Sequence, residues 1–199
     1  MCGIAGLFHG ESLGQRESEL REVARRMADA IAHRGPDDAG VWVDAAAGLA
    51  LAHRRLSIID LSAAGHQPMG SASGRYQIVF NGEIYNFRAL RARLERGGVA
   101  FRGHSDTEVL LAAIEAWGLE RALAEANGMF AFALWDRTAR TLTLARDRVG
   151  KKPLYYGWCG RALAFGSELK ALLAIPGFRP EVDRGALQSM LRFNYVPSP

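Results

Sequence analysis

Met129-Phe130-Ala131-Phe132-Ala133-Leu134-Trp135 alternates large and small residues, and after a polar break Thr141-Leu142-Thr143-Leu144 alternates threonine with leucine. A period of two is the strand period, because successive side chains leave opposite faces of the chain. Two such runs joined by a short polar turn read as a β-hairpin. Leu154 to Trp158 and Ala162 to Phe165 predict a second one. Hairpins join antiparallel neighbours, whereas parallel strands need long crossovers, so antiparallel sheets are expected over a doubly wound parallel one.

Upstream the period changes repeatedly. Gly3 to Phe8 is an apolar run of strand length at the very start of the chain. Residues 17–33 carry Leu20, Val23, Ala24, Met27 and Ile31 on one helical face, stopped by His33, Arg34, Gly35 and Pro36. Strands are expected around Val41 to Val43 and Leu49 to Ala52, and a loop from Asp60 to Arg75, where Gly65, Pro68, Gly70 and Gly74 fall. Gln77 to Phe80 reads as a strand running into Asn81, Gly82 and Glu83. Asn86 is expected to cap a helix carrying Phe87, Leu90 and Leu94, closed by Gly97 and Gly98. Ser105 and Glu108 have capping-box spacing ahead of Leu110, Leu111, Ile114 and Trp117. Ser167 is expected to open a further helix and Asp183 to Phe193 to form an amphipathic one. The fold class is therefore α+β. Residues 1–180 are expected to form one domain, and 181–199 a helix and linker cut before a further domain.

With 199 residues, 49% hydrophobic and 23% charged, the chain can build a core without metals or disulfides. A formal charge of +4 permits nucleic-acid binding, but the arginines are scattered along helical faces and no five like charges adjoin. Neither a nucleic-acid nor a membrane partner is expected. Two cysteines, Cys2 and Cys159, are too few for a disulfide framework, and the apolar start is too short for a signal core or a membrane span. A cytoplasmic protein is expected. The five histidines lack metal-ligand spacing, and the loop from Gly70 to Gly74 lacks the ending of a phosphate loop. Gly150-Lys151-Lys152-Pro153 reads as a structural turn facing a partner domain, and Cys159 as a bystander.

Three groups of residues can carry chemistry. Removal of Met1 would leave Cys2 holding a thiol and a free α-amine. An α-amine titrates at about 7.7–8.0, so one residue can supply both nucleophile and base; taken alone, Met-Cys is better read as a small residue in a buried strand. Asn81-Gly82 is by itself a turn signal. After an apolar strand and before Glu83, its side-chain amide and glycine N–H also suit an oxyanion. Arg55 offers a fork for a carboxylate, Glu83 and Asp106 offer acids for an ammonium. Asp106 reads equally as a helix-dipole acid and Arg55 as surface charge.

Together these segments closely resemble the glutaminase domain of glutamine-hydrolysing asparagine synthetases, class II glutamine amidotransferases. The matching stretches begin Cys2-Gly3-Ile4-Ala5-Gly6, His33-Arg34-Gly35-Pro36-Asp37-Asp38 and His53-Arg54-Arg55-Leu56-Ser57-Ile58-Ile59-Asp60. Gln67-Pro68-Met69, Asn81-Gly82-Glu83-Ile84-Tyr85-Asn86, Ser105-Asp106-Thr107-Glu108 and the run from Arg146 to Tyr156 continue the series. The resemblance implies an N-terminal-nucleophile hydrolase fold, a four-layer α/β/β/α sandwich of two mainly antiparallel sheets. It implies that Cys2 attacks the amide of L-glutamine, that Asn81 and Gly82 hold the oxyanion, and that Arg55 holds the α-carboxylate. Glu83 and Asp106 would hold the α-ammonium, and backbone groups of Leu56, Ile58 and Ile59 would line the pocket. No cofactor or metal is expected in this chain; ATP and magnesium belong to the C-terminal synthetase domain of the same polypeptide, whose Ser-Gly-Gly motif is absent here. A homodimer is one assembly the resemblance admits. Two rivals stand beside this reading: an inert or glutamine-responsive module if Met1 is retained, and an amidotransferase serving another acceptor.

Overall fold

A computed structural model describes residues 1–10 and 17–197. The end of the expected linker, Ser198 and Pro199, lies outside them. Among the described residues nine strands form two sheets. The first has the order β2 (Asp38–Asp44), β3 (Leu49–Arg55), β1 (Gly3–Phe8), β9 (Ala162–Gly166) and β8 (Tyr155–Cys159); the second has β4 (Met69–Gly70), β5 (Tyr76–Ile84), β6 (Gly128–Asp136) and β7 (Thr141–Arg146). Every pairing is antiparallel. Both expected hairpins form, with Trp135 opposite Leu142 and Trp158 opposite Leu163.

The alternation along each strand sorts side chains into three apolar layers. Ala5, Leu7, Ala50, Ala52 and Ala164 face outward and take up Leu20, Ala24 and Met27 of α1 (Glu17–Asp29) and Leu172 of α5 (Leu169–Leu173). Ile4, Leu49, Leu51 and Phe165 face inward against Val79, Ala131, Ala133 and Trp135 of the other sheet. Ile78, Phe80, Phe132 and Leu134 complete the sandwich against α2 (Phe87–Arg96), α3 (Asp106–Trp117) and α4 (Leu119–Glu125). This is the four-layer α/β/β/α sandwich that the resemblance implied. Each fully buried Leu, Ile or Phe contributes roughly 1.5–3 kcal/mol, so the layers, not the exposed ion pairs, set the fold.

Local expectations deviate where tertiary contacts offer a better partner. The first helix ends at Asp29, not 33, and a single 3-10 turn, Ala32–Arg34, reverses the chain so that Arg34 returns toward Cys2. Asn86 stands at the N-cap of α2, but its side chain donates to Glu125 O and accepts from Asn127 N. Ser105 caps α3 by accepting from Glu108 N, whereas the Glu108 carboxylate turns to the N–H groups of Arg102 and Gly103. The helix expected from Ser167 is α5, which starts at Leu169 with Glu168, not Ser167, at its N-cap. Ser167 lies fully buried and exchanges hydrogen bonds with Ile4, extending the ladder beside β1. The expected loop at 60–75 contains a 3-10 turn, Ala63–Gly65, and the two-residue β4. The last helix, α6 (Arg184–Phe193), is capped by Asp183 and has no buried residue. Among the described residues no helix is long and apolar enough to cross a membrane.

Candidate active site

Because β1 is the central strand of its sheet, the chain start emerges between the two sheets. Gly3 pairs with Arg54, which sets Cys2 beside Arg55 on the inward face. A cleft of about 150 Å³ opens there, lined by Cys2, Arg55, Leu56, Ile58, Ile59, Asn81, Gly82, Glu83 and Asp106. All nine residues expected to form a site thus converge, from segments more than 100 positions apart. Leu56, Ile58 and Ile59 form the rim.

Cys2 is held mainly through its backbone. Arg34 Nε donates to Cys2 O at 2.9 Å, and Arg34 Nη1 donates to Glu168 at 3.0 Å. Partial burial pushes the Glu168 carboxyl up, but Lys170, Arg34 and His33 outweigh it and hold it down at about 2. The thiol itself makes only long contacts, 3.4 Å from Leu56 N and 3.6 Å from Leu56 O. Burial raises the thiol pKa against the Leu56 N–H and nearby positive charge, so the resting sulfur is protonated near neutrality.

The strand register explains the Asn81-Gly82 pair. Gly82 lies opposite Phe130, whose own C=O accepts from Asp147 N and whose N–H is taken by the Asp147 carboxylate. Gly82 therefore points its N–H away from β6, toward the cleft. A Cβ at Gly82 would come within 2.7 Å of Phe130 Cα, forcing the strands apart. Asn81, 1% exposed, keeps its Nδ2 buried without a hydrogen-bond partner. An unmade buried donor costs about 1–3 kcal/mol, an expense that a bound acceptor would recover.

Arg55 is buried, its guanidinium donating to the carbonyls of Ser62 and Asp60. A side chain at Gly65 would occupy the place of that guanidinium. Asp60 braces the same loop, accepting from Ser62 N at 2.8 Å and His104 N at 2.7 Å, and the Ser62 hydroxyl and His104 N–H hold its carboxyl at about 2.

A model of the glutamine amidotransferase domain matches residues 1–199. This chain belongs to the glutamine amidotransferase domain family. It is 42% identical over 199 residues to asparagine synthetase [glutamine-hydrolyzing] 1 of Bacillus subtilis, covering all of this chain and 30% of the relative. To a putative asparagine synthetase [glutamine-hydrolyzing] of Mycobacterium tuberculosis it is 40% identical over 212 residues, again over the whole chain and 32% of the relative. The chain thus spans about a third of the length of these relatives. The solved glutamine phosphoribosylpyrophosphate amidotransferase of B. subtilis shares the fold, with a TM-score of 0.73 at 22% identity over 87% of this chain and 43% of that one.

Two features of the amidotransferase cleft escape sequence reasoning. Lys152 does not face outward from its turn. It is 5% exposed, lines the cleft, and its Nζ lies 3.2 Å from Met1 Sδ. Its backbone N–H donates to Asp147, five residues back, which also accepts from Lys151 N and, across to β6, from Phe130 N, so the turn is tied to the other strand by a contact the local sequence does not show. Gln67, from the expected loop, is also buried at the cleft. Among the described residues no group of three or more His, Cys, Asp or Glu could hold a metal ion.

Asp106 pays for its place. Burial lifts its carboxyl to about 6 against hydrogen bonds led by Ile84 N at 2.8 Å, with Glu83 adding repulsion. The folded pKa exceeds the unfolded value, so the folded domain holds an extra proton between pH 4 and 6 and loses stability as pH rises through that window. Asp106→Asn keeps an acceptor for Ile84 and removes the charge. It is expected to stabilise the empty domain at pH 7 by up to roughly 3 kcal/mol, and not at pH 4, measured by urea unfolding at both values.

Proposed function

We propose that this domain hydrolyses L-glutamine to glutamate and ammonia through a thioester on Cys2, once Met1 has been removed. The reading rests on one observation: a half-buried thiol and a buried amide donor without a partner, Asn81 Nδ2, line one cleft. The freed α-amine takes the thiol proton as Sγ attacks the side-chain carbonyl carbon. The oxyanion that forms is held by Asn81 Nδ2 and Gly82 N–H. The tetrahedral species collapses by breaking the C–N bond, and the amine's proton goes to the departing ammonia. Water, deprotonated by the same amine, then attacks the thioester; glutamate leaves and the thiol is restored.

Arg55 holds the substrate α-carboxylate, Glu83 and Asp106 its α-ammonium, and the backbone of Leu56, Ile58 and Ile59 walls the cleft. No cofactor enters this scheme. ATP and magnesium serve a synthetase domain C-terminal to 181–199, which consumes the ammonia to make asparagine, in a cytoplasmic protein. The test is a diazoketone analogue of glutamine followed by mass mapping. A single adduct on Cys2, confined to protein lacking Met1, supports the scheme. Glutamate release with labelling of Cys159 alone would sink it.

Arg55→Ala removes a charged hydrogen bond, worth about 1.5–3 kcal/mol, to a group remote from the reacting amide. KM for glutamine is expected to rise about 10–100-fold with kcat changed only a few-fold, by steady-state glutamate release. Asp106 must be ionised to meet an ammonium. The glutamine dissociation constant of Cys2→Ala protein, read by calorimetry, is therefore expected to rise as pH falls through about 6.

A further inference from the structure

β5 loses its neighbour part-way along. β4 covers only Ile78 and Gln77, so from Phe80 onward that edge has no strand beside it among the described residues. Phe80, Gly82 and Ile84 all turn their peptide groups to this open edge. An unpaired edge is free to twist or slide, and the two oxyanion donors sit on it. Side chains replace the missing strand. Phe80 N–H donates to Gln67 Oε1 at 2.6 Å, and His53 Nε2 donates to Phe80 O at 3.0 Å. Farther along, Asp106 takes Ile84 N–H.

His53 comes from the other sheet. It stands on β3 opposite Ile4, two residues along β1 from Cys2, and is 1% exposed. Burial keeps its ring neutral, with a pKa of about 4 against the pull of the Phe80 carbonyl. With Nε2 giving its proton to Phe80, Nδ1 is a bare acceptor, and it has no partner. Gln67 is likewise buried, and its amide nitrogen donates to Thr107 Oγ1 at 3.4 Å beside Asp106. Both peptide groups of the residue just before Asn81 are therefore fixed by side chains rather than by a strand.

We propose that His53 and Gln67 are positioning residues for the oxyanion cradle: they clamp the Phe80 peptide groups and so fix where Asn81 Nδ2 and Gly82 N–H point. The inference rests on the thioester reading of the site. Neither residue transfers a proton. His53 also ties the sheet that carries Cys2 to the strand that carries the donors, which sets the distance from nucleophile to cradle.

The test compares His53→Phe, His53→Gln and Gln67→Met in full-length protein lacking Met1. His53→Phe and Gln67→Met are expected to lower kcat about 10–100-fold with KM changed less than threefold. His53→Gln, which keeps a donor at the same reach, is expected to recover most of the rate. Glutamate γ-semialdehyde, whose adduct with Cys2 places an oxygen in the cradle, is expected to bind more weakly by a similar factor. Alkylation of Cys2 by iodoacetamide, which forms no oxyanion, is expected to keep its wild-type rate. Unchanged kcat in the variants, no recovery in His53→Gln, or an equal fall in alkylation would overturn the proposal. Wild-type protein that releases no glutamate and binds no semialdehyde would instead take down the thioester reading, and this inference with it.

Discussion

Cys2→Ala is expected to release no glutamate above the buffer rate, while the domain keeps its fold and still binds glutamine. The reaction as proposed has one covalent step on the protein, and deleting its sulfur leaves no second nucleophile in line. Cys159, the other thiol, stands on β8 and does not line the cleft. Folding is expected to survive because the strand, not the thiol, anchors residue 2. Ile4 and Leu7 are buried, Ser167 locks Ile4, and the sulfur contributes only contacts of 3.4 and 3.6 Å. The measurements are glutamate release, a thermal melt and glutamine calorimetry on one preparation. Residual turnover at a tenth of the wild-type rate would show that Cys2 is not the nucleophile. Ala at residue 2 leaves Met1 removable, so the comparison is not confounded by processing.

Asn81→Ala is expected to lower kcat about 10²–10³-fold, the size seen when one oxyanion donor is deleted, with KM nearly unchanged. The donor meets charge that exists only in the transition state, so its loss leaves ground-state binding intact. The stability outcome distinguishes this from damage. Removing a buried donor that has no partner relieves about 1–3 kcal/mol of desolvation cost, which offsets much of the cavity left by the truncated side chain. The melting temperature is therefore expected to move little while the rate collapses. A fall in Tm of 10 °C or more with a matching rise in KM would mean that Asn81 holds the cleft together instead.

Much of the site was legible because its residues sit in short local patterns. Asn81-Gly82-Glu83 follows an apolar strand, and Ser105 with Glu108 marks a helix start immediately before Asp106. The residues that escaped are those whose partners are distant in sequence. Lys152 looked like part of an outward turn; the Asp147 carboxylate ties that turn to Phe130 on β6, 22 positions before Lys152, and so turns it inward. Ser167 looked like a helix start, but α5 begins two residues on because Ser167 is taken as a strand partner by Ile4. Gln67 does lie in a loop, but bonds to Phe80 and Thr107 bury it there, and neither partner is near it in sequence. Asn86 and Glu108 carried capping signals whose side chains found better bonds across loops.

From residues alone came the class of elements, the antiparallel pairing and the chemistry available at Cys2, because periodicity and residue type are local properties. What only the folded chain decided was the convergence: which strand lies central, which edge of β5 stays open, and which donors stay without a partner. Those depend on register and on contacts between segments more than 100 positions apart, and a one-residue slip would turn the same side chains to the opposite face.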